Sequence, residues 1–242
     1  MNWEPNPVLD DHLHQRSTWE QRSRAAFYGT DQEAHLLASF ILEALADFTK
    51  RSSGQMWPRQ GKEGEYSAGL VVSFIRTQFM VVKCAEESHL IEGSTLLRKQ
   101  LEVVARLNEI DNSEGTLDKL LKNTPHLGAL KSKVRRLHGS YSEIAHSSEP
   151  DHFQLLGYGA KDEHQHYISM YPKFSRNSYV LLHNAGHVFI EFWAWLQNYN
   201  ERHGEPWDLE DFNLSAKAAF KVLSEWDVSS EGNKPEEASG KS

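Results

Sequence analysis

Two segments of the chain carry side chains that could perform acid–base chemistry together. The segment LLRKQLEVVARLNEI contains Arg98 and Glu102, four residues apart and therefore neighbours on one helix face. In the segment KSKVRRLHGSYSEIAH, one edge of a predicted helix carries Arg135, His138, Ser142 and His146. An arginine can hold a phosphate, and an imidazole can transfer a proton near neutral pH. We therefore predict a polar catalytic site between two helices, formed by Arg98, Glu102, Arg135, Ser142 and His146.

The same residues could have a purely structural role. Polar networks between helices fix their register without any chemistry, and a histidine in a last helical turn interacts favourably with the helix dipole. His146 is followed by SSEP, and the proline disfavours helical backbone in the residue before it. The sequence therefore leaves two hypotheses open for His146, a general base or the end of a helix.

A second candidate site is a histidine pair in the segment HNAGH. His183 and His187 are four residues apart, which places both on one helix face within reach of one Zn²⁺, and Glu191 follows one turn later. A helical wheel places these residues opposite the apolar stripe, so we expect them to face solvent or another subunit. No glutamate follows His183 directly, so the metalloprotease pattern is missing, and a chance pair is the alternative. We predict no other cofactor, because the chain lacks a phosphate-binding glycine-rich loop.

Helical periodicity covers most of the chain and predicts the elements that position these residues. Apolar residues recur at helical spacing after Asp31, between about Tyr66 and Glu92, from Ser94 to Asp111, before SSEP, and in two segments after Tyr171. Aromatic-rich runs on either side of GAKDEHQ predict a β-hairpin at about 152–172. We predict a mainly α protein, an up-and-down bundle of about five principal helices with one inserted β-hairpin.

The domain organisation follows from where this periodicity begins and ends. Residues 1–30 show no sustained period and are predicted to form an N-terminal arm that packs through its aromatic residues. Residues 31–227 form a single helical-bundle domain in this prediction. Residues 228–242 are rich in Gly, Ser, Pro and Glu, a composition typical of a disordered tail.

Charge and cysteine content restrict the classes of function. The formal net charge of −8 argues against coating of duplex DNA, which requires clustered basic residues. A single cysteine, Cys84, excludes an intramolecular disulfide and indicates a reducing compartment. No apolar run of about 18 residues and no secretory signal pattern is present, so we expect a cytoplasmic protein with no membrane partner.

The two polar segments also resemble a known family. LLRKQLE and YSEIAHSSEP are similar to the Leu-Arg-x-x-x-Glu and Tyr-x-x-x-x-His motifs of an uncharacterised family of bacterial helical proteins. The resemblance covers roughly residues 66–150 and is carried by Arg98, Glu102, Tyr141 and His146. That family is similar to the higher-eukaryote-and-prokaryote nucleotide-binding helical superfamily and to abortive-infection proteins of phage defence.

This resemblance implies a helical fold more directly than it implies an activity. Many members of the superfamily are metal-independent ribonucleases whose motif ends in histidine. The present chain has Tyr141 where that histidine would stand, so the nuclease motif is absent in its usual form. Two functions stay open: an effector of defence or toxin type acting on RNA or a nucleotide, and a non-catalytic helical interaction module. The aromatic segment FIEFWAWLQNY, in which Ile190 and Trp195 lie off the main stripe, favours a homodimer.

Overall fold

The protein is mainly α-helical. The computed structural model describes residues 6–112, 117–130, 132–146, 155, 159–162, 165–167 and 170–228. In these ranges the helices are α1 (Pro7–Thr30), α2 (Gln32–Ser52), α3 (Gly61–Glu87), α4 (Leu90–Asn112), α5 (Leu117–Leu120), α6 (Ser132–His146), α7 (Asn177–Arg202) and α8 (Glu210–Glu225). The prediction of a mainly α chain is confirmed, but the predicted count of about five principal helices is wrong, since the described residues form eight.

About half of the segment predicted as a hairpin lies outside the described residues. Within them, β1 (Gly159–Asp162) and β2 (Gln165–Tyr167) are short strands that pair antiparallel. A 3₁₀ turn at Leu127–Ala129 separates α5 from α6. The predicted tail lies outside the described residues from residue 229 onward.

The N-terminal segment, predicted as an irregular arm, forms helix α1. Asn6 caps it, because its side chain accepts a hydrogen bond from the Val8 backbone N–H at 3.1 Å, and Pro7 occupies the first helical position. In α1 only Ser23 and Phe27 are buried, both near its C-terminal end. A helix with so little buried surface has no need of a continuous apolar stripe, which explains why periodicity did not reveal it.

The apolar faces of α4 and α6 are buried. Leu97, Leu101 and Val104 of α4 are fully buried, and Val134 and Tyr141 of α6 are also buried. These faces meet, and α4 packs in addition against α3 and α7. The contact between α4 and α6 brings the two polar segments identified in the sequence to one interhelical edge.

The boundary between α3 and α4 differs from the prediction. We expected Gly93 and Ser94 to separate the helices, but both lie inside α4 and are buried. A Cβ atom added at Gly93 would lie 2.5 Å from Leu181 Cδ2, so the glycine allows close packing of α4 on α7. The chain instead turns at Ser88, whose φ of 63° is left-handed and ends α3.

Helix α3 also meets a length and composition test for a membrane span, alone among the described helices. A core helix of a soluble protein passes the same test, so one such helix is weak grounds for a span. In this fold α3 packs against α4, α7 and α1, and its Phe74 ring stacks on Phe192 with centroids 4.0 Å apart. One face of α3, with Val71, Phe74 and Val82, is buried in the core, whereas Val72, Phe79 and Met80 are exposed.

Candidate functional site

Glu102 is the centre of a polar cluster between α4 and α6. One of its carboxylate oxygens lies 3.5 Å from Arg98 Nε and 3.5 Å from His138 Nε2. The other oxygen lies 3.6 Å from Lys99 Nζ. The Arg98, Glu102 and His138 side chains are each about a quarter exposed, so water and small solutes can reach them. Glu102 therefore lies at the interface of α4 with α6 and pairs with Arg98 of its own helix.

The structure places the other predicted members of this site differently. Arg135 is exposed and Ser142 is half-buried; they lie on α6 about one turn before and one turn after His138. His146 is the last residue of α6, which confirms the predicted helix end, but its side chain lies outside the described residues. His138, which the sequence placed on the same edge, is the α6 histidine that contacts Glu102.

Tyr141 of α6 forms a hydrogen bond to α7. Asn184 Nδ2 of α7 donates a hydrogen bond to the Tyr141 hydroxyl oxygen at 2.7 Å. Burial of Tyr141 raises its pKa to about 12, so the phenol stays protonated at neutral pH. This buried bond joins α6 to α7, and it gives Tyr141 a structural role.

The arrangement can support two kinds of chemistry. A carboxylate beside an imidazole fixes the ring orientation and stabilises the ring when it is protonated, while the remaining ring nitrogen can exchange a proton with a substrate. Arginine and lysine next to that pair can hold a phosphate or a developing negative charge. The 3.5 Å separation of Glu102 and His138 is longer than a good hydrogen bond, as is common in catalytic pairs without substrate.

The histidine pair on α7 does not face solvent as predicted. His183 and His187 are half-buried, with ring centroids 4.7 Å apart, and His183 lies 5.7 Å from the Trp226 ring. Burial and then the charge of His187 lower the pKa of His183 to about 4. Glu191 is buried. The error has a packing cause, since α8 and the residues after it cover the helix face that the wheel left uncovered.

The expected dimer surface on α7 is also inside the fold. Trp195 is only 3% exposed, and its indole N–H donates a hydrogen bond to Asp111 Oδ2 at 2.6 Å. Ile190 is partly buried against the core. The aromatic segment of α7 therefore serves the core of the chain, and it no longer supports the prediction of a homodimer.

A dense charged cluster at the junction of α1 with α3 was missed by the sequence analysis. Arg24 pairs with both Glu86 and Glu87, and the Tyr28 hydroxyl donates a hydrogen bond to Glu86. Burial raises the pKa of Glu86 above its ordinary value. His89 follows directly after the Ser88 turn. These contacts join residues about 60 positions apart, and no local pattern in either segment indicates them.

His89 connects this cluster to α1. Its Nε2 lies 3.0 Å from Glu20 Oε1, and Arg16 Nε donates a hydrogen bond to the same carboxylate oxygen at 2.7 Å. Cys84 lies nearby on α3, and burial raises the pKa of its thiol to about 11. At neutral pH the Cys84 thiol is therefore protonated, the form that is a poor nucleophile.

Comparisons with known proteins add no assignment. No protein-family model, no curated protein and no solved structure matches the chain. The class of the protein is therefore given by the fold alone, a mainly α-helical protein with polar clusters between its helices.

Proposed function

We propose that the protein is an effector of defence or toxin type that acts on RNA or a nucleotide through metal-independent acid–base chemistry. The observation that carries this proposal is the contact of Glu102 with His138 and Arg98 across α4 and α6. In this mechanism Glu102 orients the imidazole of His138, and the imidazole transfers a proton at the phosphodiester. Arg98 and the exposed Arg135 bind the phosphate.

The charge around the cluster favours an anionic substrate. Glu102 is within 4.0 Å of both Arg98 and Lys99, and the exposed Arg135 and Arg136 lie on the facing helix. Basic groups therefore exceed carboxylates at this edge, although the whole chain is acidic. Such a local excess attracts phosphate groups and concentrates them near the imidazole.

The resemblance of the two polar segments to the uncharacterised bacterial helical family is part of the proposal. It assigns Arg98, Glu102, Tyr141 and His146 to one site, and the Arg98–Glu102 ion pair supports that assignment. His146 stays in the proposal as a second proton donor or acceptor, two turns after His138. RNA or a nucleotide is the proposed partner, and the cytoplasm is the proposed location.

A second function is supported by a specific feature of the same cluster. The Glu102 carboxylate contacts three basic groups, and on α6 Tyr141 bonds to Asn184 of α7. Contacts of this kind hold α4, α6 and α7 in register, as expected of a non-catalytic helical interaction module. In that function the cluster stabilises the bundle and contacts no substrate.

RNA cleavage in the presence of EDTA separates these functions. Purified wild type is incubated with end-labelled cellular RNA beside the variants Glu102→Gln, His138→Asn and His146→Ala. Glu143→Gln is the matched control, because Glu143 is an exposed glutamate on the same helix as His138. Each protein is first shown to be folded by circular dichroism and thermal melting.

The acid–base proposal predicts cleavage by wild type and by Glu143→Gln. It predicts a loss of about 100-fold or more in Glu102→Gln and His138→Asn, within the range of general acid–base catalysis. Loss of cleavage in His146→Ala alone would move the proton-transfer role from His138 to His146. Absence of cleavage by wild type, with lower melting temperatures for Glu102→Gln and His138→Asn, would support the structural module instead.

A further inference from the structure

Three metal-ligating side chains converge at the junction of α1 and α3. Glu20 of α1, Glu87 at the end of α3 and His89 of the following turn each offer one ligand atom, and these atoms lie within 4.8 Å of one another. No other group of three His, Cys, Asp or Glu side chains comes this close in the part of the chain that the structure describes. The predicted trio on α7, His183, His187 and Glu191, does not reach this geometry.

The fold holds these ligands on three separate elements. The left-handed backbone of Ser88, with φ of 63°, turns the chain between Glu87 and His89. The Ser88 hydroxyl lies 3.0 Å from the Ser178 hydroxyl at the start of α7, and both serines are buried. A non-glycine residue in this conformation is found where the surrounding structure enforces it, often at functional sites. The Ser88 turn therefore fixes the position of the His89 backbone.

All three ligands line one cavity. This cavity has a volume of about 450 Å³ and is open to solvent, and its wall also includes Cys84 and Glu92. His89 lines in addition a second cavity of about 250 Å³, on the side of Tyr171. An ion therefore has an entry path to the three ligand atoms, and space remains beside them for a water molecule or a further ligand.

The charges at this junction favour a cation. Glu87 has a side chain only 8% exposed, and a buried carboxylate needs a positive partner. Its present partners are Arg24 and Lys83, and Glu20 pairs with Arg16. These basic side chains are between 43% and 63% exposed, so their charged groups can turn toward solvent when a metal ion binds the carboxylates.

The donor set indicates the class of metal. One imidazole nitrogen and two carboxylate oxygens suit Zn²⁺, Mn²⁺ or Fe²⁺ better than Ca²⁺, which prefers oxygen ligands alone. Three protein ligands with an open fourth position are the arrangement of an accessible zinc site. The Cys84 thiol lines the same cavity but is not one of the three ligand atoms that lie close together.

We propose that Glu20, Glu87 and His89 form a binding site for a divalent transition-metal ion, with an open coordination position that faces the cavity. In the metal-free state the carboxylates are held by Arg16, Arg24 and Lys83, and the ion displaces Arg16 and Arg24. This site is separate from the cluster of Glu102 and His138, and it does not depend on the function proposed for that cluster.

Isothermal titration with ZnCl₂ in chelator-treated buffer tests the site. The variants are His89→Asn, Glu20→Gln and Glu87→Gln, and the wild-type full chain is titrated beside them. Glu92→Gln is the matched control, since Glu92 lines the same cavity outside the ligand group, and His187→Asn tests the pair on α7. Thermal melting without metal establishes that each variant is folded.

We expect wild type, Glu92→Gln and His187→Asn to bind one Zn²⁺ per chain with similar affinity. His89→Asn and Glu20→Gln should each weaken binding by about 100-fold, at the upper end of the change found when even an outer-shell partner is lost. Should Glu87→Gln fail to fold, these two variants still decide the question. The proposal is overturned if wild type binds no Zn²⁺ at about 100 μM, a range of weak affinity. It is also overturned if His89→Asn binds like wild type, or if only His187→Asn loses binding.

Discussion

The described residues contain two histidine–glutamate pairs that join separate segments of the chain, and the charges around the two pairs differ. His138 and Glu102 lie 3.5 Å apart at an edge where arginine and lysine predominate. His89 and Glu20 lie 3.0 Å apart beside the buried carboxylates of Glu86 and Glu87. The first environment suits an anion and the second suits a cation. Residue types alone therefore do not define a binding site, because the neighbouring charges determine which ligand the site accepts.

The largest effect on stability is expected where the charges are most buried. Arg24→Ala removes the basic partner of Glu86 and Glu87 and leaves two carboxylates in a poorly solvated site. Because Arg24 itself is 43% exposed, we expect a loss of about 2 kcal/mol in the free energy of unfolding, below the value for fully buried pairs. Urea denaturation measures it.

Arg22→Ala is the control for that substitution. Arg22 lies on the same helix and contacts only the Trp19 ring, 5.3 Å from its centroid, among the interactions that the structure describes. Its removal should change the unfolding free energy by about 0.5 kcal/mol or less. An equal loss of unfolding free energy in Arg22→Ala and Arg24→Ala would contradict the expectation that the ion pairs of Arg24 stabilise the α1–α3 junction.

His183 on α7 is expected to make the stability of the protein depend on pH. His183 has a pKa of about 4 in the folded protein because of its burial, whereas an exposed imidazole has a pKa of 6.5. On acidification, His183 of the unfolded chain therefore binds a proton at a higher pH than His183 of the folded chain. The contribution of His183 to stability is fully present above pH 6.5 and is lost as the pH decreases toward 4. After allowance for partial exposure, His183 should account for a loss on the order of 1 to 2 kcal/mol.

His183→Gln tests this pH dependence, since the amide keeps a hydrogen-bond donor for the Leu223 backbone. Unfolding free energies of wild type and variant are compared at pH 7 and pH 4.5. The variant should lose less stability than wild type on acidification. Parallel losses in the two proteins would show that His183 titrates normally and is not buried as the structure places it.

The smallest effect on stability is expected at the α4–α6 cluster. Glu102→Gln removes a charge whose partners are about a quarter exposed or more, so we expect a loss of less than about 1 kcal/mol. The melting temperature of the variant beside wild type at low and high salt is the measurement. A loss comparable to that of Arg24→Ala would mean that Glu102 is primarily a structural residue.

Sequence patterns predicted the pairing of Arg98 with Glu102 because its geometry is local, but they assigned His146 rather than His138 to the site. Helical spacing determines that Arg98 and Glu102 share a face, and burial of Leu97 and Leu101 then turns that face toward α6. The one long-range step, contact of α4 with α6, required only that two apolar faces meet. The start of α2 directly after Asp31 was predicted on the same local basis, and the Asp31 side chain caps the helix by accepting a hydrogen bond from the Ala34 N–H at 3.0 Å.

The errors arose where distant segments determine the outcome. Gly93 and Ser94 resemble a helix boundary, yet packing against Leu181 keeps them inside α4. The solvent-facing position predicted for His183 did not account for the coverage provided by α8. The Glu20, Glu87 and His89 group depends on how α1 lies on α3, which no spacing within either segment reveals.

We propose that Glu102 and His138 form an acid–base site that acts on RNA. The rate of RNA cleavage in EDTA by wild type and by Glu102→Gln tests this proposal directly. We predict that wild type cleaves and that Glu102→Gln, with a nearly unchanged melting temperature, is slower by about 100-fold. The same rate in both proteins, or no cleavage by folded wild type, would contradict the claim and leave Glu102 as a contact that holds α4 to α6.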